Sequence, residues 1–261
     1  MKHPDPDRIS ALITAVAQQE ILPRFRALGE GQVRTKGNPN DLVTDADIEA
    51  EKALARLLPA ELPGSVVVGE ESVHADPAVL DRLKGEAPVW VVDPVDGTRN
   101  FATGKPLFAT LVALVIGGRT VQGWLHDPVR GLTITAEEGA GTWLNGERLH
   151  VAGQGMPLAD LVGSTGFSPA KALRGRVRQH LHHASAGHDY MALVEGRIHF
   201  ALFRRLMPWD HAAGVLAHQE AGGFAALRTG EPYSPLLREG ALILTPDKAI
   251  HDQIRALLAG T

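Results

Sequence analysis

The sequence predicts a layered α+β or α/β sandwich built from two unequal halves. Three observations predict it. An amphipathic N-terminal region leads into β-branched strands and then a run of strands joined by Gly-Gly, Asp-Pro and Asn-Gly turns, the pattern of an antiparallel meander. After the meander, helical and extended segments alternate in a shorter second half. With 261 residues, 44% hydrophobic and 21% charged, the chain can bury a core without disulfide or metal cross-links.

Each element has a local reason. From about Asp5 to Leu28, residues Ile9, Leu12, Ile13, Val16 and Ala17 fall on one helical face, with aspartates at the start. The polar, glycine-rich stretch 29–44 is too long for a tight turn and ends at Thr44, a good N-cap for a helix over Asp45 to Leu58. Val66 to Val68 and Val89 to Val92 read as short buried strands that run into Gly69-Glu70-Glu71 and Asp93-Pro94-Val95-Asp96-Gly97. The meander extends from Leu107 to Thr142. Beyond it, Lys171 to His183 and His188 to Val194 are predicted helical and Ile198 to Phe203 extended. Trp209 to Glu220 is an Ala-rich helix that Ala221-Gly222-Gly223 ends, followed by a strand at Ala241 to Leu244 and a helix from Pro246 to Leu258. The weakest compositional boundary lies near Val151 to Met156, dividing the chain into halves 1–150 and 151–261.

Composition excludes several classes of function. A formal charge of −4 gives no global field for a nucleic-acid backbone or an anionic membrane, so neither is expected as a partner. The absence of cysteine removes disulfides, thiolate zinc and cysteine nucleophiles, so any metal must use oxygen or nitrogen ligands. The N-terminus lacks the pattern of a signal peptide, and the most apolar run, Leu107 to Ile116, is far short of the roughly 20 residues of a membrane helix. The expectation is a cytoplasmic chain.

Acidic side chains directly after buried strands suit a hard divalent cation, because Mg²⁺ takes oxygen ligands and keeps several waters. Glu70, Asp93 and Asp96 fit that description, and the Val95 carbonyl between the two aspartates is a further oxygen donor. Gly97-Thr98-Arg99-Asn100 could open a helix whose free N–H groups cradle a phosphate. Taken singly, each piece has an ordinary reading as a solvated turn or a surface acidic pair. His180, His182, His183 and His188 cluster in sequence but lack carboxylates at ligand spacing, and read as surface or cap residues.

Together, the blocks resemble the inositol monophosphatase family of Mg²⁺-dependent, lithium-sensitive phosphatases. The resemblance is carried by Gly69-Glu70-Glu71-Ser72, by Trp90 through Phe101, and by Trp209-Asp210-His211-Ala212-Ala213-Gly214 running to Glu220-Ala221-Gly222-Gly223. Lys36 with Asp41 through Asp47 makes a fourth block. The resemblance implies an αβαβα sandwich of the sugar-phosphatase type, with most ligands in residues 1–150 and with 151–261 supplying Asp210 and the substrate side. It implies one Mg²⁺ on Glu70, Asp93 and the Val95 carbonyl, a second on Asp93, Asp96 and Asp210, and a third, weaker one near Glu70; Mn²⁺ could substitute. Thr98, paired with Asp47, and Glu70 would activate the attacking water, while Gly97 and Thr98 N–H groups bind phosphate. A homodimer and inhibition by Li⁺ are implied in the same way.

The substrate side departs from the pattern. Seven positions ahead of the metal aspartate, inositol monophosphatases proper carry a Glu for the inositol hydroxyls; here that position is Phe203, followed by Arg204 and Arg205. The expected substrate is therefore a small phosphorylated metabolite other than inositol phosphate, such as histidinol phosphate or fructose 1,6-bisphosphate. Inositol-1-monophosphatase proper, a nucleotide (PAP or NADP) phosphatase and a metal-binding regulatory protein of the same fold are the alternatives. The arginines could meet a second anion or sit in solvent. Asp96, Ser164, Asp189, Phe203 and Arg205 are the candidate substrate residues.

Overall fold

The computed structural model describes residues 3–27, 33–35, 42–165 and 170–259. Lys36 and Asp41 lie outside them. In chain order the elements are α1 (Pro6–Val16), β1 (Val33–Thr35), β2 (Leu42–Thr44), α2 (Asp45–Glu61), β3 (Val66–Gly69), α3 (Glu70–Ala75), β4 (Val89–Asp96) and α4 (Thr98–Ala102). There follow β5 (Ala109–Ile116), β6 (Arg119–Asp127), β7 (Leu132–Glu137), β8 (Gly141–Leu144), β9 (Glu147–Arg148), β10 (Val162–Thr165), α5 (Ala170–Leu173), β11 (Gln179–Leu181) and α6 (Ala186–Val194). The chain closes with β12 (Phe200–Arg205), α7 (Pro208–Glu220), β13 (Phe224–Leu227), β14 (Glu239–Thr245) and α8 (Lys248–Ala259).

A seven-stranded sheet runs β3-β4-β5-β6-β7-β8-β9, antiparallel except for the β3/β4 pair, and a five-stranded sheet runs β11-β10-β12-β14-β13. Alternation along the strands assembles the layers. On β4, Trp90 and Val92 face a core shared with Ile9 and Ile13 of α1 and Ala50, Leu54 and Leu58 of α2. Val89 and Val91 face the opposite core, shared with Tyr190 and Met191 of α6, Ala212 and Ala213 of α7, and Leu242 and Leu244 of β14. Ile243 points the other way, into a third core with Phe200 and with Ile250 and Ile254 of α8. The middle core surrounds α6 and α7 and reaches both sheets, and the other two lie outside the sheets, which gives five layers in the order αβαβα.

Close packing in the middle layer needs small residues. A Cβ on Gly214 would lie 2.1 Å from the Tyr190 ring, and one on Gly123 would lie 3.0 Å from the Ala213 backbone.

Two expectations change. Lys171 to His183 is not one helix: α5 is a single turn ending at Leu173, Gly175 takes φ +72, and Gln179–Leu181 forms a parallel edge strand on β10. The unfilled edge of β10 outweighs the weak helical pattern there. The first helix ends as regular α-helix at Val16, continues as a π-helical turn over Ala17–Ile21, and gives way to turns around Pro23.

Candidate metal and phosphate site

The site forms where β3 and β4 end side by side. Their parallel register sets Gly69 opposite Val92, so Glu70 and Asp93 leave adjacent strands at the same level. Asp93 and Asp96 are three apart, a spacing that would put them on opposite faces of a regular strand. A bulge prevents this: Asp93 pairs with Leu111 and Asp96 with Ala109, leaving two residues against one. Pro94, with no N–H to give the ladder, sits in the bulge, where its carbonyl accepts from Thr110 Oγ1 at 2.8 Å. Both carboxylates therefore turn into one site. Gly97 closes the turn with φ +88, where a Cβ would also come within 2.9 Å of the Leu107 carbonyl.

Asp210 arrives from a distant part of the chain, in the first turn of α7. Its helix is capped at Met207 without a side-chain bond, so Asp210 is not the cap residue and its carboxyl is directed elsewhere. Carboxylate oxygens of Asp93, Asp96 and Asp210 come within 4.8 Å of one another. With Glu70, Val95, Gly97, Thr98, Arg205, Met207 and Trp209 they line a cavity of about 170 Å³. Larger cavities of about 490 and 550 Å³ lie elsewhere, so convergence of charge locates this site better than size does.

Thr98 Oγ1 lies 3.2 Å from Asp47 Oδ1 and 3.0 Å from the Val95 carbonyl, so its one proton has two acceptors. Asp47 is fully buried and doubly anchored: its Oδ2 accepts from Thr44 N–H at 2.8 Å and Thr44 Oγ1 at 2.5 Å, the capping box that starts α2. Asp96 ties the end of β4 to the start of α6. It accepts from Ser185 Oγ, from Ala186 N–H at 3.1 Å and from Gly187 N–H at 2.8 Å at the start of α6.

The electrostatics fit a hard divalent cation. Burial, then repulsion from Glu70, Asp96 and Asp210, holds the Asp93 carboxyl well above the usual carboxylate range. Asp210 is raised in the same way, by burial and then by Glu70 and Asp96, with Arg205 opposing. Asp96 is pushed up to about 6, burial outweighing its hydrogen bonds. An oxygen-only donor set with surplus negative charge is what Mg²⁺ or Mn²⁺ requires.

The sign of the pH effect follows. Without metal, the stability contributed by these raised carboxyls is complete below their unfolded pKa and lost as pH rises through the folded values, near 6 for Asp96 and well above the usual carboxylate range for Asp93 and Asp210. One Mg²⁺ concentration, about a hundred times the Kd at pH 8, should raise Tm by roughly 5–10 °C at pH 8 and by much less at pH 5.5, where protonation weakens binding. Melting with Mg²⁺ against EDTA at both pH values checks this; equal increments would contradict it.

The predicted substrate residues are placed unevenly. Asp189, Phe203 and Arg205 line an adjoining cavity of about 330 Å³ with Asp96, His182, Arg204 and His211. Asp189 also accepts from His183 Nδ1 at 2.5 Å, His183 being half-buried, and His188 is buried with Nε2 at 3.1 Å from the Phe108 carbonyl, so His188 is an internal brace rather than a surface residue. Ser164 is buried on β10, lines neither cavity, and its Oγ has no partner. Sequence reasoning missed Glu51, buried one helical turn after Asp47, whose carboxyl burial pushes up and whose oxygens accept from Glu71 and Ser72 N–H. It also missed His211, whose Nδ1 meets Tyr190 OH at 2.9 Å and whose Nε2 meets the Arg205 carbonyl at 2.7 Å. Neither residue had a local signal: Glu51 reads as a solvent-facing helix position, and the partners of His211 are distant or backbone groups.

The same fold recurs in known proteins. A model of the inositol monophosphatase family matches residues 7–260. A Thermotoga maritima protein named fructose-1,6-bisphosphatase/inositol-1-monophosphatase is 31% identical over 228 residues, spanning 85% of this chain and 84% of that one. Bacillus subtilis inositol-1-monophosphatase is 30% identical over 239 residues, 85% of each chain. A solved Thermotoga maritima IMPase superposes with a TM-score of 0.84 at 28% identity, over 97% of this chain and 96% of that one. An IMPase/NADP phosphatase complexed with Mg²⁺ and phosphate shares the fold, with a TM-score of 0.81 at 20% identity over 96% and 95% of the two chains. The chain therefore belongs to the inositol monophosphatase family of metal-dependent phosphomonoester hydrolases.

Proposed function

We propose that this protein is a Mg²⁺-dependent phosphatase whose main substrate is a small phosphorylated metabolite bearing a second anionic group, and is not inositol monophosphate. The observation that carries the reading is the wall of the adjoining cavity. Phe203 stacks on Tyr190 at 5.3 Å and tilts against His211 at 4.8 Å, so this position has no acceptor for a polyol hydroxyl. Around it stand Arg204, Arg205 and His182. Arg205 lines both cavities, between the carboxylate cluster and the leaving-group side. A bisphosphate such as fructose 1,6-bisphosphate suits that wall better than cationic histidinol phosphate, since Asp189 is engaged by His183. The name of the Thermotoga relative includes fructose-1,6-bisphosphatase, in keeping with a bisphosphate substrate, beside inositol-1-monophosphatase.

In this reading Glu70, Asp93 and the Val95 carbonyl would hold one Mg²⁺, Asp93, Asp96 and Asp210 would hold a second, and Glu70 would stand near a weaker third. The ions, when bound, polarise the phosphoryl group and lower the pKa of water. The chain does the rest. Gly97 and Thr98 N–H groups orient the phosphate at the start of α4. Thr98 accepts a proton from the attacking water as it gives its own to Asp47, which Thr44 holds in place. Glu70 orients the same water. Asp96, Asp189, Phe203 and Arg205 shape the leaving-group side, and Ser164, which lines neither cavity, is left out of it. Homodimer formation, tested by light scattering, and Li⁺ inhibition at the second metal position belong to the same reading, as does a cytoplasmic location.

Specificity is tested by comparing kcat/KM across inositol 1-phosphate, histidinol phosphate, fructose 1,6-bisphosphate and nucleotide phosphates. Inositol 1-phosphate should be poor, and its emergence as the best substrate would sink the reading. Arg205→Gln should raise KM for a bisphosphate by about 10–100-fold, the worth of a hydrogen bond to a charged group, and change KM for a monoanionic ester by no more than about twofold.

A further inference from the structure

We infer that Glu51 is a positioning residue for Glu70: it clamps the turn that carries this ligand and thereby sets the affinity of the metal site. The inference rests on the metal-site reading above, but not on the identity of the substrate.

Glu51 is 6% exposed and, among the described residues, has no basic partner. Burying a carboxylate without a counter-charge is unfavourable unless its oxygens are hydrogen-bonded. Here both are used. Oε2 accepts from the Glu71 N–H at 2.7 Å and Oε1 from the Ser72 N–H at 2.8 Å. Those N–H groups lie in the first turn of α3, where the helix itself supplies no acceptor and its cap residue, Gly69, has no side chain to offer one. Ser72 Oγ completes the closure, accepting from Gly69 N–H at 3.1 Å and donating to the Gly69 carbonyl at 3.0 Å. Glu70 therefore sits between residues fixed on both sides.

Gly69 is there for space. Its φ of −107° is open to any residue, but an added Cβ would lie 2.2 Å from Glu51 Cδ. A residue able to cap α3 locally cannot coexist with Glu51 at this distance, so the cap comes from α2. The same helix, one turn earlier, presents Asp47 to Thr98. One rigid element thus aligns the partner of Thr98 and the turn that bears Glu70.

The test uses Glu51→Gln, nearly isosteric but able to accept only one of the two N–H bonds, with Glu51→Ala and Gly69→Ala beside it. Mn²⁺ binding to the full chain is measured by calorimetry and electron paramagnetic resonance, Mg²⁺ activation by phosphate release, and stability by melting. Glu51→Gln should weaken Mn²⁺ binding about 10–100-fold, as loss of a residue supporting a ligand does elsewhere, and raise the half-saturating Mg²⁺ in step. At saturating Mg²⁺, kcat and substrate KM should return close to wild type. Gly69→Ala should do the same with Glu51 intact. If Glu51→Gln and Gly69→Ala lower Tm yet bind Mn²⁺ as wild type does, Glu51 is only a cap and the inference is overturned. A wild-type chain that binds Mn²⁺ but hydrolyses no ester overturns the proposed reaction and leaves the clamp standing; one that binds no Mn²⁺ overturns both.

Discussion

Replacing Asp93 with Asn is expected to reduce Mg²⁺-dependent phosphate release by more than about a thousandfold, because several kcal/mol of charge stabilisation depend on a carboxylate shared by both ions. The same substitution should make the metal-free protein more stable. Asn keeps the Oδ1 that accepts from Val95 N–H at 3.1 Å, so the bulge is preserved. It removes a buried negative charge that Glu70, Asp96 and Asp210 all oppose. With EDTA, Tm should rise by roughly 2–4 °C for each kcal/mol of repulsion removed, whereas with Mg²⁺ the variant should gain little. Near wild-type turnover, or a lower Tm under both conditions, would contradict a metal role for Asp93 and favour a purely structural one.

The second large effect is expected at the Thr98–Asp47 pair. Asp47→Asn should lower kcat by about 10²–10⁴-fold with little change in KM. The reason lies in hydrogen-bond direction. Asn can keep its oxygen on the Thr44 N–H and hydroxyl, which places its NH₂ toward Thr98. Thr98 then receives a hydrogen bond where it formerly gave one, and its proton turns to the Val95 carbonyl 3.0 Å away. Its lone pairs no longer face the incoming water. Thr98→Ala should cost a similar factor, and the double variant no more than either single one, since both remove one relay. Independent, multiplying losses would show that the two residues act separately. Steady-state rates for the three variants at saturating Mg²⁺ decide between these outcomes.

Much of the site is local in sequence and was legible for that reason. Thr44 and Asp47 are a capping box on four consecutive residues, so the start of α2 at Asp45 could be read directly. Glu70, Asp93 and Asp96 follow β-branched runs that reach no further than the strands they end. Other features depend on partners far away. Asp96 is held by Ser185, Ala186 and Gly187, about ninety residues downstream, and no local pattern announces that bond. An acidic residue such as Glu51 in an amphipathic helix ordinarily marks the solvent face; only the approach of the side-chain-free Gly69 reverses its meaning.

The fold shows the same division. The meander was readable from turn residues and alternation, because hairpin partners are neighbours in sequence. The edge strand β11 was not, since its reason to be extended is the open edge of β10 rather than its own residues. β13 also escaped notice: Phe224–Leu227 is four residues between two turns, and its identity as a strand comes from pairing with β14. Phe203 was legible as a departure from the family pattern, but its stacking between Tyr190 and His211 required the third dimension.

The most direct measurement is phosphate release by the purified protein from a panel of small phosphate esters, with Mg²⁺ and with EDTA. The account predicts hydrolysis of at least one ester with Mg²⁺, abolished by EDTA and by Asp93→Asn, with inositol 1-phosphate not the preferred substrate. Failure of Mg²⁺ or Mn²⁺ to support hydrolysis of any ester above background, or hydrolysis undiminished in EDTA, would contradict it.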